Sequence, residues 1–368
     1  MVGSRCGWEC PEDFSQWSDW LAAGLHARNR WRLPVLLVGI LFATGRRTVT
    51  TWLRAAGVSP DFQDYYYFLD PLGRNAKIVA ERLVALLLVK LPLPPILRLV
   101  IDDSPTKRYG PKVEGADIHH NPTPGPADQT YLYGHIWVTM SLALRHPVFG
   151  AVALPLRAML YVRERTIATI PAKRGWKFAT KLVLAARLVQ WIMPMLKSAG
   201  KAIWIVVDGG YTKKPFLRPV GGVIRVVIVK EAHTWHAFFS TDPNVTAVEI
   251  LEAFADRATI ELDFHDVKEV WGAGQQQVRN IWTNVAVYHL NLWMHTLVEL
   301  WAWDRPHHEL CDRRDSPWDD ADRRPSHANR RKALRRAILQ KQLSQFAATK
   351  RLPKKFLELT QRLLNLAA

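Results

Sequence analysis

The stretch Phe254-Ala-Asp-Arg257-Ala-Thr-Ile-Glu261-Leu-Asp-Phe-His-Asp-Val-Lys268 decides how the rest of the chain is read. In a helix each residue turns the chain by about 100°, so Arg257 and Glu261 differ by about 40° and Lys268 returns to within about 20° of Arg257. Phe254 joins the same stripe. One helix face then carries a carboxylate between two fixed positive charges, which suits a divalent metal and a phosphodiester if further carboxylates face it.

Two such carboxylates are expected upstream. Leu97-Arg-Leu-Val-Ile101 runs into Asp102-Asp103-Ser104, and Ala202-Ile-Trp-Ile-Val-Val207 runs into Asp208-Gly209-Gly210. Short β-branched runs ending in Asp read as buried strands that deliver a carboxylate to the carboxyl edge of a sheet. Two strand-end aspartates and a helical glutamate form the acidic set of a two-metal phosphoryl-transfer site.

At these residues the chain resembles the DDE transposases of bacterial insertion sequences, in the group whose signature is Tyr, two residues, Arg, three residues, Glu, six residues, Lys. Arg257, Glu261 and Lys268 meet that spacing in full, with Phe254 in the Tyr place. If the Tyr hydroxyl of the group contacts a phosphate, its absence here removes one hydrogen bond, worth about 1 kcal/mol. Phe264-His-Asp-Val-Lys-Glu-Val-Trp-Gly272 and Gln275-Gln-Gln-Val-Arg279-Asn280 also resemble the group, as does Asp103-Ser104 followed by Lys107-Arg108. The resemblance covers roughly residues 15–300.

It implies an α/β fold: an RNase H-like catalytic core with a mixed five-stranded sheet flanked by helices. A helical N-terminal domain and a basic helical tail complete the expected chain. Asp103, Asp208 and Glu261 would be the catalytic, metal-holding carboxylates, with Asp102 competing for the first place. Neighbouring strand residues face opposite ways, so only one of the pair serves; the hydroxyl residue after Asp103 favours Asp103. Two Mg2+ ions, replaceable by Mn2+, are implied. Arg257 and Lys268 would contact the DNA backbone. Double-stranded DNA is the implied partner, as terminal inverted repeats and as target, with a homodimer on paired ends. The segment 209–260 is shorter than the β-rich insertion usual in the group. Besides an active transposase, the alternatives are therefore a shortened relative that only binds DNA and a metal-dependent nuclease without strand transfer.

Composition agrees. The 368 residues carry 50 Lys and Arg against 33 Asp and Glu, a net charge of +17, which implies a polyanionic partner. Hydrophobic content of 48% excludes general disorder. Three cysteines fit a reducing cytoplasm, and neither Leu33–Ala43 nor residues 83–101 reads as a membrane span. A cytoplasmic, nucleoid-associated bacterial protein is expected.

Along the chain, residues 1–95 read as a helical DNA-binding domain, 96–300 as the catalytic domain, and 301–368 as a polar linker with a basic helical tail. Arg46 and Arg47 open a short helix that would grip phosphates or enter a groove. Lys107 and Arg108 begin a Pro-, Gly- and His-rich loop (104–130) where a DNA strand would pass. Strands are expected at 96–102, 131–144, 148–163 and 202–208, a hairpin at 222–230 and 234–240, and helices at 172–198, 245–270 and 281–303. The histidines, including His289 and His295, show no metal-ligand spacing and read as loop or core residues. His135 is the one nearest the expected site.

Overall fold

The computed structural model describes residues 7–58, 62–121, 129–217, 225–231, 234–311, 318, 320 and 322–348. Five helices come first: α1 (Glu12–Ala22), α2 (Arg32–Phe42), α3 (Val49–Ala55), α4 (Gln63–Arg74) and α5 (Ala76–Lys90). Strands β1 (Ile96–Lys107), β2 (Asp117–His120), β3 (Tyr131–His146) and β4 (Gly150–Tyr161) follow. Next come α6 (Glu164–Ile167), α7 (Lys181–Ser198), β5 (Ala202–Val207) and α8 (Lys214–Leu217). A hairpin, β6 (Arg225–Glu231) and β7 (Thr234–Ser240), precedes α9 (Ala247–Arg257), α10 (Thr259–Glu269), α11 (Ile281–Ala302), α12 (His307–Leu310) and α13 (His327–Ala348).

The main sheet is five-stranded and mixed. β3 lies between β1 on one side and β4 and β2 on the other, all antiparallel to it, and β5 adds parallel to β1 at the far edge. With helices on both faces, this is the architecture of an RNase H-like DDE domain. The hairpin β6–β7 is a separate two-stranded sheet. Apolar side chains from Phe14 to Ile338 form one connected buried cluster, so α1–α5 and the sheet share a core. Among the described residues no helix is long and apolar enough to cross a membrane.

Strand alternation decides what each face of β1 meets. Val100 joins a small cluster with Ala143, Ile260 and Phe264 beneath α10, whereas Leu97, Leu99 and Ile101 enter the main core. Arg98, on the α10 side with Val100, pairs with buried Asp256 of α9, and Arg145 of β3 reaches the same carboxylate at 3.0 Å. Those two arginines fasten α9 to the sheet.

Several elements differ from the sequence expectation. The expected 104–130 loop is strand at both 104–107 and 117–120. Ser104 and Thr106 turn inward, and Trp137 Nε1–H donates to Thr106 Oγ1 at 2.9 Å, satisfying a polar group in an apolar setting. The 172–198 helix starts at Lys181, where Thr180 caps it. The 245–270 helix is two helices. Thr259 Oγ1 donates to Asp256 O at 2.6 Å and interrupts the ladder at Ala258, whose dihedrals (φ −57°, ψ −19°) stay right-handed. The hairpin start at 222–224 and the basic residues beyond 348 lie outside the described residues.

One close approach is diagnostic of how α4 and α11 meet. A Cβ on Gly73 would overlap the Trp282 carbonyl oxygen. Gly73→Ala is expected to cost about 3 kcal/mol, the upper end for overpacking a rigid contact. Urea unfolding with an unchanged midpoint would show that α4 and α11 separate freely instead.

Candidate active site

The parallel register of β1 and β5 pairs Ile101 with Val207, so the next residues, Asp102 and Asp208, emerge side by side at the carboxyl edge. Asp208 caps the short 3-10 turn Gly209–Tyr211, accepting from the Gly210 N–H at 2.9 Å. Asp102 shares its face with Arg98 and Val100 and looks toward α9. There Arg257 donates from one guanidinium nitrogen to Asp102 Oδ2 at 2.8 Å, and from the other it reaches Glu261 Oε1 at 3.4 Å. The guanidinium therefore sits between a strand carboxylate and the helix carboxylate. Phe254 supports it: the Arg257 guanidinium carbon lies 5.3 Å from the Phe254 ring centre, and that ring packs edge-on against Phe238 of β7.

Burial pushes the Asp102 carboxyl up to about 6. Its own bond from the Asp103 N–H opposes this, Asp208 adds to it, and Arg257 pulls it back. Glu261, by contrast, keeps 63% of its side chain exposed. Crowded carboxylates with one of them resisting ionisation form a site that a hard cation stabilises, and oxygen donors are the ligands Mg2+ and Mn2+ prefer. Asp102, Asp208 and Glu261 thus fit a divalent ion.

Asp103 points the other way. Lys181 of α7 donates to its Oδ2 at 2.6 Å and the Tyr211 hydroxyl to its Oδ1 at 2.8 Å. The structure separates Asp103 from Arg257 and Glu261 by the thickness of the sheet, because alternate strand residues face opposite sides. Asp103 instead holds Tyr211, three residues beyond Asp208, and so steadies the turn that aims Asp208. Burial, then the Asp103 charge, raises the Tyr211 hydroxyl and keeps it a donor. Lys181 carried no sequence signal, since nothing in its local pattern links it to β1.

The expected basic contacts divide. Lys107 is exposed and Lys268 half-buried on α10. Arg108 is buried: Nε donates to His135 Nδ1 at 3.2 Å, and one terminal nitrogen donates to the Gly274 and Gln276 carbonyls at 3.2 and 2.9 Å. It clamps the α10–α11 connection to β1, and part of its side chain lines the cleft beside the end of that strand. Desolvation lowers its guanidinium to about 10. His135 is equally internal, with Nε2 against Glu114 O at 3.0 Å. Arg47 is half-buried and reaches Glu269 O at 3.4 Å, at the carboxyl end of α10. Arg331, in the basic helical tail, lies inside and donates to Leu41 O, Ala43 O and Val270 O, carbonyls at two helix ends. Arg46 stays exposed. With Tyr109, Lys112, Gln275 and Arg279 it lines a cleft of about 560 Å³ beside the end of β1.

A family model described as DDE superfamily endonuclease matches residues 21–248, more than half of the chain. The chain belongs to the DDE superfamily endonucleases. The match takes in β1 and β5 with Asp102, Asp103 and Asp208, and ends before Glu261. No curated relative matches the chain. A DDE endonuclease of this kind is a transposase-like nuclease whose substrate is DNA and whose superfamily uses divalent metals. The exposed Arg46, Lys112 and Arg279 of the cleft suit that polyanion.

Proposed function

We propose that this DDE endonuclease is the transposase of a bacterial insertion sequence, cutting DNA at terminal inverted repeats and joining the freed 3′ ends to a target. The carrying observation is the strand register that sets Asp102 beside Asp208, with Arg257 linking Asp102 to Glu261. In this reading Asp102, Asp208 and Glu261 hold the metal, and Asp103, the residue favoured by sequence, is a positioning residue. Two Mg2+ ions, when bound, supply an activated attacking oxygen and stabilise the departing 3′ oxygen. Asp102 and Asp208 define the edge over which the scissile phosphate lies. Glu261 closes that edge from α10. Arg257 neutralises Asp102 and Glu261 in the free protein and is available to the phosphate once cations take those carboxylates. Lys268, farther along α10, extends backbone contact away from the cut, whereas Lys107 alternates onto the Asp103 face of β1. The cleft at Arg46, Lys112 and Arg279 lies about 20 Å along β1 from Asp102, a distance that suits the flanking duplex. A dimer on paired ends in the cytoplasm completes the proposal.

The test is cleavage of a duplex carrying the ends that flank the gene, with Mg2+ or Mn2+, by wild type and Glu261→Gln. Metal-dependent 3′-hydroxyl ends from wild type alone, followed by joined products with target DNA, are expected. Cutting without joining would reduce the protein to a nuclease. Binding without cutting would point to the short 209–260 segment, where β6–β7 is the only sheet among the described residues.

A further inference from the structure

Away from the sheet edge, α10, α11 and α13 meet around a second set of ionisable side chains. Asp263 and Asp266 come from α10, His295 and Glu299 from α11, and His327 and Arg330 from α13. All except Asp266 are buried. The two imidazoles stack with centres 3.8 Å apart and planes 10° from parallel.

Each imidazole has a carboxylate behind it. His327 Nδ1 donates to Glu299 Oε1, and His295 Nε2 lies 3.5 Å from Asp263 Oδ1. That is the carboxylate–histidine arrangement that orients metal ligands. It leaves Nδ1 of His295 open, while Nε2 of His327 accepts from the Trp271 Nε1–H. His295 Nδ1 has no hydrogen-bond partner, and neither does Asp263 Oδ2 or Glu299 Oε2. A buried polar atom left so costs about 1–3 kcal/mol, and three in one cluster require an explanation. Charge points the same way. Arg330 compensates Glu299 through contacts of 2.9 and 2.8 Å, while the ion-pair partners of Asp263 and Asp266 among the described residues are histidines. One ligand atom from each of Asp266, His295 and His327 falls within 4.8 Å of the others.

We propose that Asp266, His295 and His327 bind a divalent transition-metal ion of the zinc class, separate from the catalytic carboxylates, with Glu299 and Asp263 as the supporting carboxylates. Two imidazoles and one carboxylate favour zinc over magnesium. Neutral histidines are required of such ligands, and these two lie in a fully internal setting that keeps them uncharged. Binding displaces the Trp271 Nε1–H that donates to His327 Nε2 at 2.8 Å. The ion would tie α10, the carrier of Glu261 and Lys268, to α11 and α13, so its role is structural.

The experiment uses the full chain with Asp102→Asn, Asp208→Asn and Glu261→Gln combined, which removes the sheet-edge ligands, and compares it with the same chain carrying His295→Asn. After EDTA treatment, loading with ZnCl2 and desalting, zinc is counted by mass spectrometry. About one equivalent per chain is expected in the first and about a tenth or less in the second. Equal zinc content in the two, or none in the first, overturns the site. Should His295→Asn not fold, zinc titration of wild type and Glu299→Gln decides: about 10–100-fold weaker binding in the variant is expected, and unchanged affinity overturns the site. Neither readout depends on DNA being cut.

Discussion

Asp102→Asn is expected to lower Mg2+-dependent DNA cleavage by about 10³-fold or more, whereas Asp103→Asn stays within about tenfold of wild type. A metal ion stabilises transition-state charge by several kcal/mol, and each 1.36 kcal/mol is a factor of ten, so losing one ligand carboxylate gives a loss of about that size. Asp102 holds the place beside Asp208 and touches Arg257. Asp103 lies on the opposite face against Lys181 and Tyr211. Its asparagine still accepts from the Tyr211 hydroxyl and loses mainly a half-exposed ion pair, worth about 1 kcal/mol or less. Single-turnover cleavage of the two variants separates them. A dead Asp103→Asn beside an active Asp102→Asn would reverse the assignment and return the first ligand to the residue that sequence favours.

Acid is expected to destabilise the protein through its buried histidines, and His289 allows one of them to be isolated. Its Nδ1 donates to Val285 O at 2.8 Å and its Nε2 accepts from the Ala158 N–H at 3.2 Å. Protonation would set an N–H against an N–H. Desolvation lowers this imidazole to about 4, and burial together with the Arg163 charge does the same to His119. A histidine depressed in the folded state is neutral there while the unfolded chain takes up a proton below about 6.5. Stability is therefore fully present above that value and falls between about 6.5 and 4. Each of the two histidines removes about 2 kcal/mol by pH 5. Asp102, raised to about 6 by burial, works in the opposite direction over the same range and offsets about 1 kcal/mol. The clean readout is thus a comparison. His289→Gln, which can keep one donor and one acceptor, should lose about 2 kcal/mol less than wild type between pH 7 and pH 5. Equal slopes in denaturant unfolding would show that His289 titrates normally in the folded protein.

Periodicity and spacing made much of the fold legible. Val- and Ile-rich runs ending in aspartate are strands because β-branched side chains pack well on a pleated surface, and β1 and β5 lie where those runs lie. The Arg257, Glu261 and Lys268 spacing survives in the structure even though Ala258 divides the helix, because its dihedrals stay right-handed and preserve the rotation. Charge was less informative. Arg108 read as a loop residue beside the DNA, and Arg330 and Arg331 as part of a basic tail, yet each is buried among carbonyls or against a carboxylate. A positive side chain carries no mark in sequence that tells whether a helix end will need its hydrogen bonds.

Sequence by itself determined the class of the chain: a basic α/β protein with two strand-end aspartates and a helical glutamate flanked by cations. Those are local facts, set by spacing along one strand or one helix. Only the tertiary structure decided which of Asp102 and Asp103 meets Glu261, because that depends on which face of β1 receives α9 and α10, and no residue near the aspartates records it. The same holds for the cluster of Asp266, His295 and His327, assembled from the facing sides of three separate helices. Local chemistry is written along the sequence, but the meeting of distant faces is settled by how the whole core packs.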